Sequence, residues 1–467
     1  MSPLLKKSDL DFELEKNYRP VSNLKFISKT TERVACSFIV DHIKTHNLFS
    51  RVQSAYRSYH STETALLSVQ NDILRAVDKF GAVLLVLLDL SAAFDTIDHN
   101  LLLLLLEKSF GLSGTVLLWI KSYISARSQS VRVGKAISEV LCLLFGVPQG
   151  SVLGPILFIL YTTSLGKVID FHKLAHHFYA DDTQLWVYFN PKVESSVLNA
   201  VHAVETCCKD IRAWMQYNKL KLNDDKTELL AISANPSELL NISVKIGEHT
   251  IDVTELSPRN LGVLFDARLA HTDNIAKVSK TIRYNLQSIS KIRNLLTKPD
   301  TEKLVYALAT SRLDYCNSLL AGSPYTVIQP LQLVQNYAAR VISCTRKYDR
   351  VSPVLRELHW LPVRQRVYFK VLLLTYKALH GEAPPYLRDE LHNYECPREG
   401  LRPKEDRVFD VPDVKRTFGE RAFSYSAPRL WNALPKFIRD SLTLDQFKKQ
   451  LKTYLFSNPN FPPPIVV

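Results

Sequence analysis

Two adjacent carboxylates interrupt a stretch whose other residues favour a β-strand. The segment FYADDTQ (178–184) places Asp181 and Asp182 among aromatic and β-prone neighbours. It lies inside HHFYADDTQLWVYF, a pattern typical of two strands joined by a tight turn. Asp89 ends an earlier hydrophobic segment, GAVLLVLLDL (81–90), which is typical of a strand buried on both faces. A sheet that brings these strand ends side by side would gather three carboxylates at one edge.

Three clustered carboxylates need a cation, because unpaired buried charges cost several kcal/mol each. Oxygen ligands suit Mg²⁺, which commonly binds one or two carboxylates together with substrate phosphates. Two such ions about 4 Å apart stabilise the attacking and leaving oxygens of phosphoryl transfer. The acids therefore predict nucleotidyl transfer, in which a primer 3′-hydroxyl attacks an α-phosphate and pyrophosphate leaves. The alternative is a solvated Asp-Asp turn, since Asp is a favoured turn residue.

The segments around these acids alternate between helix and strand patterns. The stretch GVPQGSVLGPILFILY (146–161) begins as a glycine loop and continues as a helix, with Pro155 near its start. Residues 130–146 are typical of a hairpin around Gly134. Further helices are predicted over residues 62–79 with Thr62 as N-cap, 194–217, 275–296, 299–320, 326–345, 364–380 and 443–456.

The bulk composition points to a polyanionic partner. The 467 residues include 59 Lys and Arg against 46 Asp and Glu, a net charge of +13. This balance favours nucleic acid before anionic membrane, although a merely basic surface explains it equally well. The seven cysteines match no zinc spacing, which predicts reduced thiols and an intracellular protein of the nucleus or cytoplasm. The apolar runs are too short to span a bilayer, so no membrane insertion is expected.

Seven segments in order resemble the reverse transcriptases of non-LTR retrotransposons of the jockey and chicken-repeat group. They are NYRPVSNL, AYRSYHSTETAL, LLDLSAAFDTIDH, GVPQGSVLGPILF, YADDTQLW, LKLNDDKTELL and LGVLFD. Later segments such as LHWLPVRQRVYFK and SAPRLWNALP resemble the C-terminal part of these elements. The resemblance implies an α+β right-hand polymerase fold with an antiparallel palm sheet and a mostly helical C-terminal region. It divides the chain into fingers and palm (1–268), a helical thumb-like region (269–350) and a C-terminal region of unknown role (351–467).

The resemblance also implies roles for individual residues. Asp89, Asp181 and Asp182 match the catalytic acids, which hold two Mg²⁺ ions, with Mn²⁺ as a substitute and the backbone of Leu90 as a further ligand. The residues that match nucleotide-binding positions are Arg57, Phe94, Gln149, Gly150 and Lys226. Phe94 matches the aromatic residue that excludes a ribose 2′-hydroxyl, and Lys226 matches a lysine suggested to protonate pyrophosphate. The triplet Ala55-Tyr56-Arg57 departs from the family's Gly-Phe-Arg, which weakens the argument for the loop around Arg57.

A basic helix falls where the thumb begins. Its cations are Lys277, Lys280, Arg283, Lys291 and Arg293. They could follow the phosphates of a primer–template duplex without reading sequence, and a charged, solvated helix face is an equal alternative.

The partners implied are an RNA template, a DNA primer and dNTPs. Autonomous relatives carry an apurinic-type endonuclease upstream, and no such domain is recognisable in this sequence. A second hypothesis is therefore a truncated element copy that binds nucleic acid without polymerising. A third, a host-adopted polymerase of the splicing or telomere type, is disfavoured by the jockey-like C-terminal segments.

Overall fold

The structure, a computed structural model, describes residues 1–6, 10–91, 94–394 and 408–462, so that Ala92, Ala93 and Cys396 lie outside it. The strands are β1 (Ser2–Leu5), β2 (Tyr18–Val21), β3 (Ala82–Leu88), β4 (Leu90–Ser91), β5 (Arg127–Gln129), β6 (Arg132–Val133), β7 (Ala136–Ile137), β8 (Leu141–Leu143), β9 (Ala175–Tyr179), β10 (Asp182–Phe189), β11 (Lys221–Leu222), β12 (Glu228–Ser233), β13 (Ser243–Ile246), β14 (His249–Asp252), β15 (Arg259–Asn260) and β16 (Val263–Leu264).

The helices are α1 (Phe26–Thr45), α2 (Thr62–Phe80), α3 (His99–Phe110), α4 (Gly114–Ile124), α5 (Gly154–Tyr161), α6 (Leu165–Phe171), α7 (Glu194–Tyr217), α8 (Thr272–Ile292), α9 (Lys298–Val305), α10 (Ser311–Asp314), α11 (Tyr325–Ser343), α12 (Ser352–Glu357), α13 (Val363–Leu379), α14 (Pro385–Arg388), α15 (Thr417–Glu420), α16 (Phe423–Asn432), α17 (Lys436–Arg439) and α18 (Leu444–Ser457). A π-helical turn, Tyr306–Thr310, joins α9 to α10. Helix and strand thus segregate into an α+β fold, as predicted.

The central sheet has the order β12-β3-β10-β9, and every neighbouring pair in it is antiparallel. All seven residues of β3 are buried because both faces of the sheet are covered. Leu84, Val86 and Leu88 enter one hydrophobic core, and Val83, Leu85 and Leu87 enter the other. This two-sided burial explains why β3 is uniformly apolar rather than alternating.

The two cores contain different helices. The core that includes Leu84, Val86 and Leu88 also includes residues of α1 and α3 to α7. The second joins α2 and the other face of the sheet to the thumb-like helices and to residues beyond 351, for example Trp186, Leu286 and Trp431. The C-terminal region therefore shares a core with the palm sheet. Among the described residues, no helix is both long and apolar enough to cross a bilayer.

Helix α2 shows how local sequence sets the ends of an element. Ser61 is its N-cap and forms a reciprocal capping box with Thr64, so the prediction of Thr62 as the cap is wrong by one residue. Ser61 is extended and its hydroxyl accepts from the Thr64 N–H, a geometry that Thr62 inside the helix cannot adopt. At the other end Gly81, with φ 109°, lets the chain turn directly into β3.

Glu32 is a buried carboxylate that holds the loop preceding α5. Its Oε2 accepts from the Val152 N–H at 2.7 Å and from the Leu153 N–H at 3.3 Å. Glu32→Ala should lower the free energy of unfolding by about 1–3 kcal/mol, because both amides lose a charged acceptor. Urea unfolding would measure this, with the exposed Glu107→Ala in α3 as a control expected within about 0.5 kcal/mol of wild type. Equal effects of the two substitutions would contradict this role of Glu32.

Candidate active site

The pairing of β3 with β10 brings the predicted acids together. Leu88 lies opposite Thr183, so Asp89, the next residue, lies beside Asp182. Ala180 and Asp181 form the turn between β9 and β10, and Ala180 adopts a left-handed φ of 57°. The meeting of three carboxylates at one edge of the sheet, predicted from the strand patterns, is therefore present in the structure.

The electrostatics of the site reflect this crowding. Burial, followed by the charges of Asp181 and Asp89, raises the pKa of Asp182 to about 6. Burial and, more weakly, the charge of Asp89 also raise the pKa of Asp181, while Arg19 and Lys226 oppose that rise. The charge of Asp89 thus makes ionisation of Asp181 and Asp182 harder, so a cation would relieve a repulsion that the fold builds in.

Asp89 is held by the loop that follows β11. The Lys226 ammonium lies 2.7 Å from its Oδ2, and the Asn223 side chain donates to the same oxygen at 3.3 Å. The Asn223 N–H also donates to the Asp89 carbonyl at 2.9 Å. Asp89 and Lys226 line a cleft of about 400 Å³, together with Leu88, Asp182, Gln184, Arg259 and Asn260. The cleft therefore contains two of the three acids, Asp89 and Asp182.

A glycine loop lies against the segment that contains Phe94. The Val147 N–H donates to the Phe94 carbonyl, and a Cβ on Gly146 (φ 84°) would lie 2.9 Å from the Asp95 carbonyl oxygen. Glycine is therefore needed at position 146 because a larger residue would clash with the backbone of Asp95. The half-buried Phe94 ring packs 4.8 Å from Phe158, and the Gln149 Oε1 is buried without a hydrogen-bond partner. Gly150 is exposed, with φ 96°.

Arg57 is engaged with the loop that carries it. Its Nη1 donates to the carbonyls of Ser50 and Gln53 at 2.6 and 2.8 Å, and its guanidinium lies 4.8 Å from the centre of the Phe49 ring. Burial lowers its pKa. These contacts give the arginine a structural role in this conformation, and its role toward a triphosphate stays a prediction.

The predicted cations of the thumb fall into two groups. Lys277, Lys280, Arg283 and Lys291 are exposed on α8. Arg293 instead donates to the carbonyls of Val341, Ile342 and Leu296 at 2.8–3.0 Å, so it joins the end of α8 to the end of α11. The four exposed side chains fit a role in phosphate binding, whereas the contacts of Arg293 favour a structural role.

Several side chains around the acids were not predicted. Arg19 and Asn223 lie within the segments NYRPVSNL and LKLNDDKTELL, whose similarity to a family was the available signal. Gln184, which accepts from Asn260 Nδ2 at 2.8 Å, lies in the similar segment YADDTQLW and shared that signal. Gln53, which contacts Ala180, carried no signal because its partner is distant in sequence.

The donor set fits divalent ions that also bind a substrate. Within the described ranges no group of three His, Cys, Asp or Glu side chains forms a ready-made metal site. Ions that bind one or two carboxylates and complete their shells with water and substrate phosphates do not require such a group. Asp89 already contacts one cation, the Lys226 ammonium, and the charge of Asp181 raises the pKa of Asp182. Because added positive charge would stabilise all three carboxylates, they suit this kind of site.

Comparison with known proteins defines the class. A family model described as reverse transcriptase (RNA-dependent DNA polymerase) matches residues 5–265, more than half of the chain. The chain therefore belongs to the reverse transcriptase family and has its right-hand polymerase fold, with an antiparallel palm sheet followed by a mostly helical C-terminal region.

Among individual relatives, the chain is similar to transposon proteins of Drosophila melanogaster. It is 27% identical over 369 residues to the probable RNA-directed DNA polymerase from transposon BS, covering 76% of this chain and 39% of that protein. It is 22% identical over 353 residues to the RNA-directed DNA polymerase from mobile element jockey, covering 73% of this chain and 37% of that protein. The chain thus spans about two fifths of the length of these relatives.

Among solved structures, the chain is similar to a telomerase of Candida tropicalis in complex with a fragment of telomeric RNA. The TM-score is 0.40 at 12% identity, and the match covers 72% of this chain and 56% of that one.

Proposed function

We propose that this chain is an RNA-directed DNA polymerase of a non-LTR retrotransposon, which extends a DNA primer on an RNA template with dNTPs. The observation that carries the proposal is the register of β3 against β10, which sets Asp89 beside Asp182. Membership of the reverse transcriptase family and similarity to RNA-directed DNA polymerases of transposons support it. In this proposal residues 1–268 are fingers and palm, 269–350 are the thumb and 351–467 are the C-terminal region.

Asp89, Asp181 and Asp182, with the Leu90 carbonyl, would hold two Mg²⁺ ions, and Mn²⁺ would substitute for them. When bound, such ions lower the barrier to phosphoryl transfer by stabilising charge on the attacking and leaving oxygens. Lys226, whose ammonium donates to the Asp89 Oδ2 at 2.7 Å, would hold Asp89 in place before substrate binds and would protonate departing pyrophosphate. Arg57, Gln149 and Gly150 are the proposed contacts of the incoming nucleotide.

Lys277, Lys280, Arg283 and Lys291 would follow the phosphates of the primer–template duplex. Such contacts position a duplex without reading its sequence, and they make binding weaken as salt rises. Arg293, bound to three carbonyls, would support these residues by fixing the end of α8.

A primer-extension assay tests the function. The purified chain, an RNA template with an annealed DNA primer, dNTPs and Mg²⁺ should give elongated DNA, and EDTA should stop it. Salt-dependent binding of the same duplex without any extension would contradict the proposal and favour the nucleic-acid-binding remnant.

Phe94 tests the preference for deoxynucleotides. Phe94→Ala should lower the discrimination between dNTPs and rNTPs on the order of tenfold or more, because the bulk proposed to exclude a 2′-hydroxyl is removed. The ratio of kcat/KM for dCTP and CTP measures the change. Phe94→Tyr keeps the ring and should keep the discrimination, so an equal loss in both variants would contradict this role.

A further inference from the structure

The loop between α1 and α2 (residues 46–61, here the Gln53 loop) extends the edge of the palm sheet. The Phe178 N–H donates to the Val52 carbonyl at 2.8 Å, and the Ser54 N–H donates to the Phe178 carbonyl at 3.0 Å. The loop thereby runs beside β9, the strand that leads into the catalytic turn.

The Gln53 side chain reaches that turn. It is 5% exposed. Its Oε1 accepts from the Ala180 N–H at 3.1 Å and from the Ala55 N–H at 2.9 Å, and its Nε2 lies 3.5 Å from the Ala180 carbonyl. Ala180 has a left-handed φ of 57°, which is unfavourable for a residue with a Cβ. The amide therefore fixes the backbone immediately before Asp181 in a conformation that it would otherwise seldom adopt.

The C-terminal region reaches the Gln53 loop through Tyr386, at the start of α14. The Tyr386 hydroxyl lies 2.9 Å from the Ser54 Oγ and donates to the Thr64 Oγ1 at 3.1 Å. The Ser54 Oγ is also 2.8 Å from the His177 Nε2. Burial lowers the pKa of His177 to about 3, so the imidazole is neutral and can share this hydrogen bond. An ion pair between Arg51 and Asp389 adds a contact at the surface.

We propose that the C-terminal region, through Tyr386 and Ser54, holds the Gln53 loop on the edge of the palm sheet, and that Gln53 positions Asp181 and Asp182 for divalent-ion binding. This rests on the proposed function and assigns a role to residues beyond 351. Gln53 and Tyr386 are positioning residues, since they act on the acids through Ala180 and the loop.

Mn²⁺ binding tests the first half of the proposal without requiring catalysis. In Gln53→Met, which keeps the side-chain volume, the Kd for Mn²⁺ alone should rise about 10–100-fold, as is usual when a group that orients metal ligands is lost. Electron paramagnetic resonance of free Mn²⁺ gives the Kd. Gln335→Met removes a fully buried amide of the thumb, which donates to the carbonyl of Leu361 in the C-terminal region, and should bind Mn²⁺ like wild type. Equal Kd values for Gln53→Met and wild type would overturn the role of Gln53.

Steady-state primer extension tests the second half. Tyr386→Phe should lower kcat on the order of tenfold while the KM for dNTP changes less than about twofold, because misplaced acids slow the chemical step. Tyr376→Phe removes a comparable hydroxyl, which donates to the Ser441 carbonyl within the C-terminal region, and should leave kcat unchanged. Ser54→Ala is a smaller change on the same path and should reproduce the loss in kcat. Equal kcat values for Tyr386→Phe and Tyr376→Phe would overturn the role of Tyr386 in holding the Gln53 loop.

The two arms separate this inference from the function on which it rests. If wild type does not extend primers, the proposed polymerase fails, and the Mn²⁺ comparison still decides whether Gln53 positions the acids. If wild type extends primers and the variants match their controls, the proposed polymerase stands, and only the proposed roles of Tyr386, Ser54 and Gln53 fail.

Discussion

Asp181→Asn should reduce kcat for primer extension by about 10⁴-fold, since catalytic groups that act as a unit fail together when one is lost. The substitution keeps the size of the side chain and removes the charge that would hold a divalent ion. It should not lower the thermal unfolding midpoint of the metal-free protein, because it also removes a source of repulsion with Asp89 and Asp182.

The control for this prediction is an exposed acid outside the three carboxylates. Asp225 is exposed next to Lys226, and Asp225→Asn makes the same chemical change outside the three acids. We expect it to retain activity within about threefold of wild type, as is usual for surface changes away from the reacting groups. Extension by Asp181→Asn at the level of Asp225→Asn would contradict the assignment of Asp181.

A chain that ends after Arg350 should fail to fold cooperatively. Truncation would remove Phe409, Trp431, Phe447 and the other C-terminal members of the core that covers α2 and one face of the sheet. Asp78 in α2 would also lose two backbone donors, the N–H groups of Lys415 at 2.9 Å and Arg416 at 2.6 Å. Loss of even one such aromatic side chain to Ala typically costs about 3–5 kcal/mol, which is a large share of the stability of a typical domain.

Soluble yield and thermal unfolding followed by circular dichroism measure the effect of truncation. Supplying residues 351–467 as a separate chain during expression should recover soluble, folded protein, because the same core would form. A truncated chain that unfolds cooperatively at the wild-type midpoint would show that the C-terminal region is an independent unit. It would also contradict the proposal that Tyr386 holds the Gln53 loop.

Much of the fold follows from local patterns. The uniform apolar run of β3 and the hairpin around YADD predict their strands because burial on both faces and turn chemistry are local properties. The spacing of apolar residues predicted α7 at its observed bounds, 194–217, and predicted a helix over 275–296 where α8 spans 272–292. The three acids could be predicted from the same patterns, since each stands at the end of a recognisable strand.

The contacts between distant segments could not be predicted in this way. Gln53 meets Ala180 across 127 residues, and Tyr386 meets Ser54 across 332. Neither contact leaves a periodic signal, because each depends on how whole elements pack. Helix α1 shows that a periodic pattern can also be misleading about burial. Ile27 and Phe38 fit an apolar helical pattern but are 78% and 71% exposed. Periodicity predicts that a helix forms and does not determine which face is covered.

The binding of divalent ions by Asp89, Asp181 and Asp182 is the centre of the account. A crystal structure with Mn²⁺, a dNTP and a primer–template that lacks a 3′-hydroxyl tests it most directly, because anomalous scattering locates manganese. We expect two manganese peaks about 4 Å apart, in contact with the carboxylates of Asp89, Asp181 and Asp182. Manganese peaks elsewhere, with these carboxylates making no contact to any ion, would contradict the account.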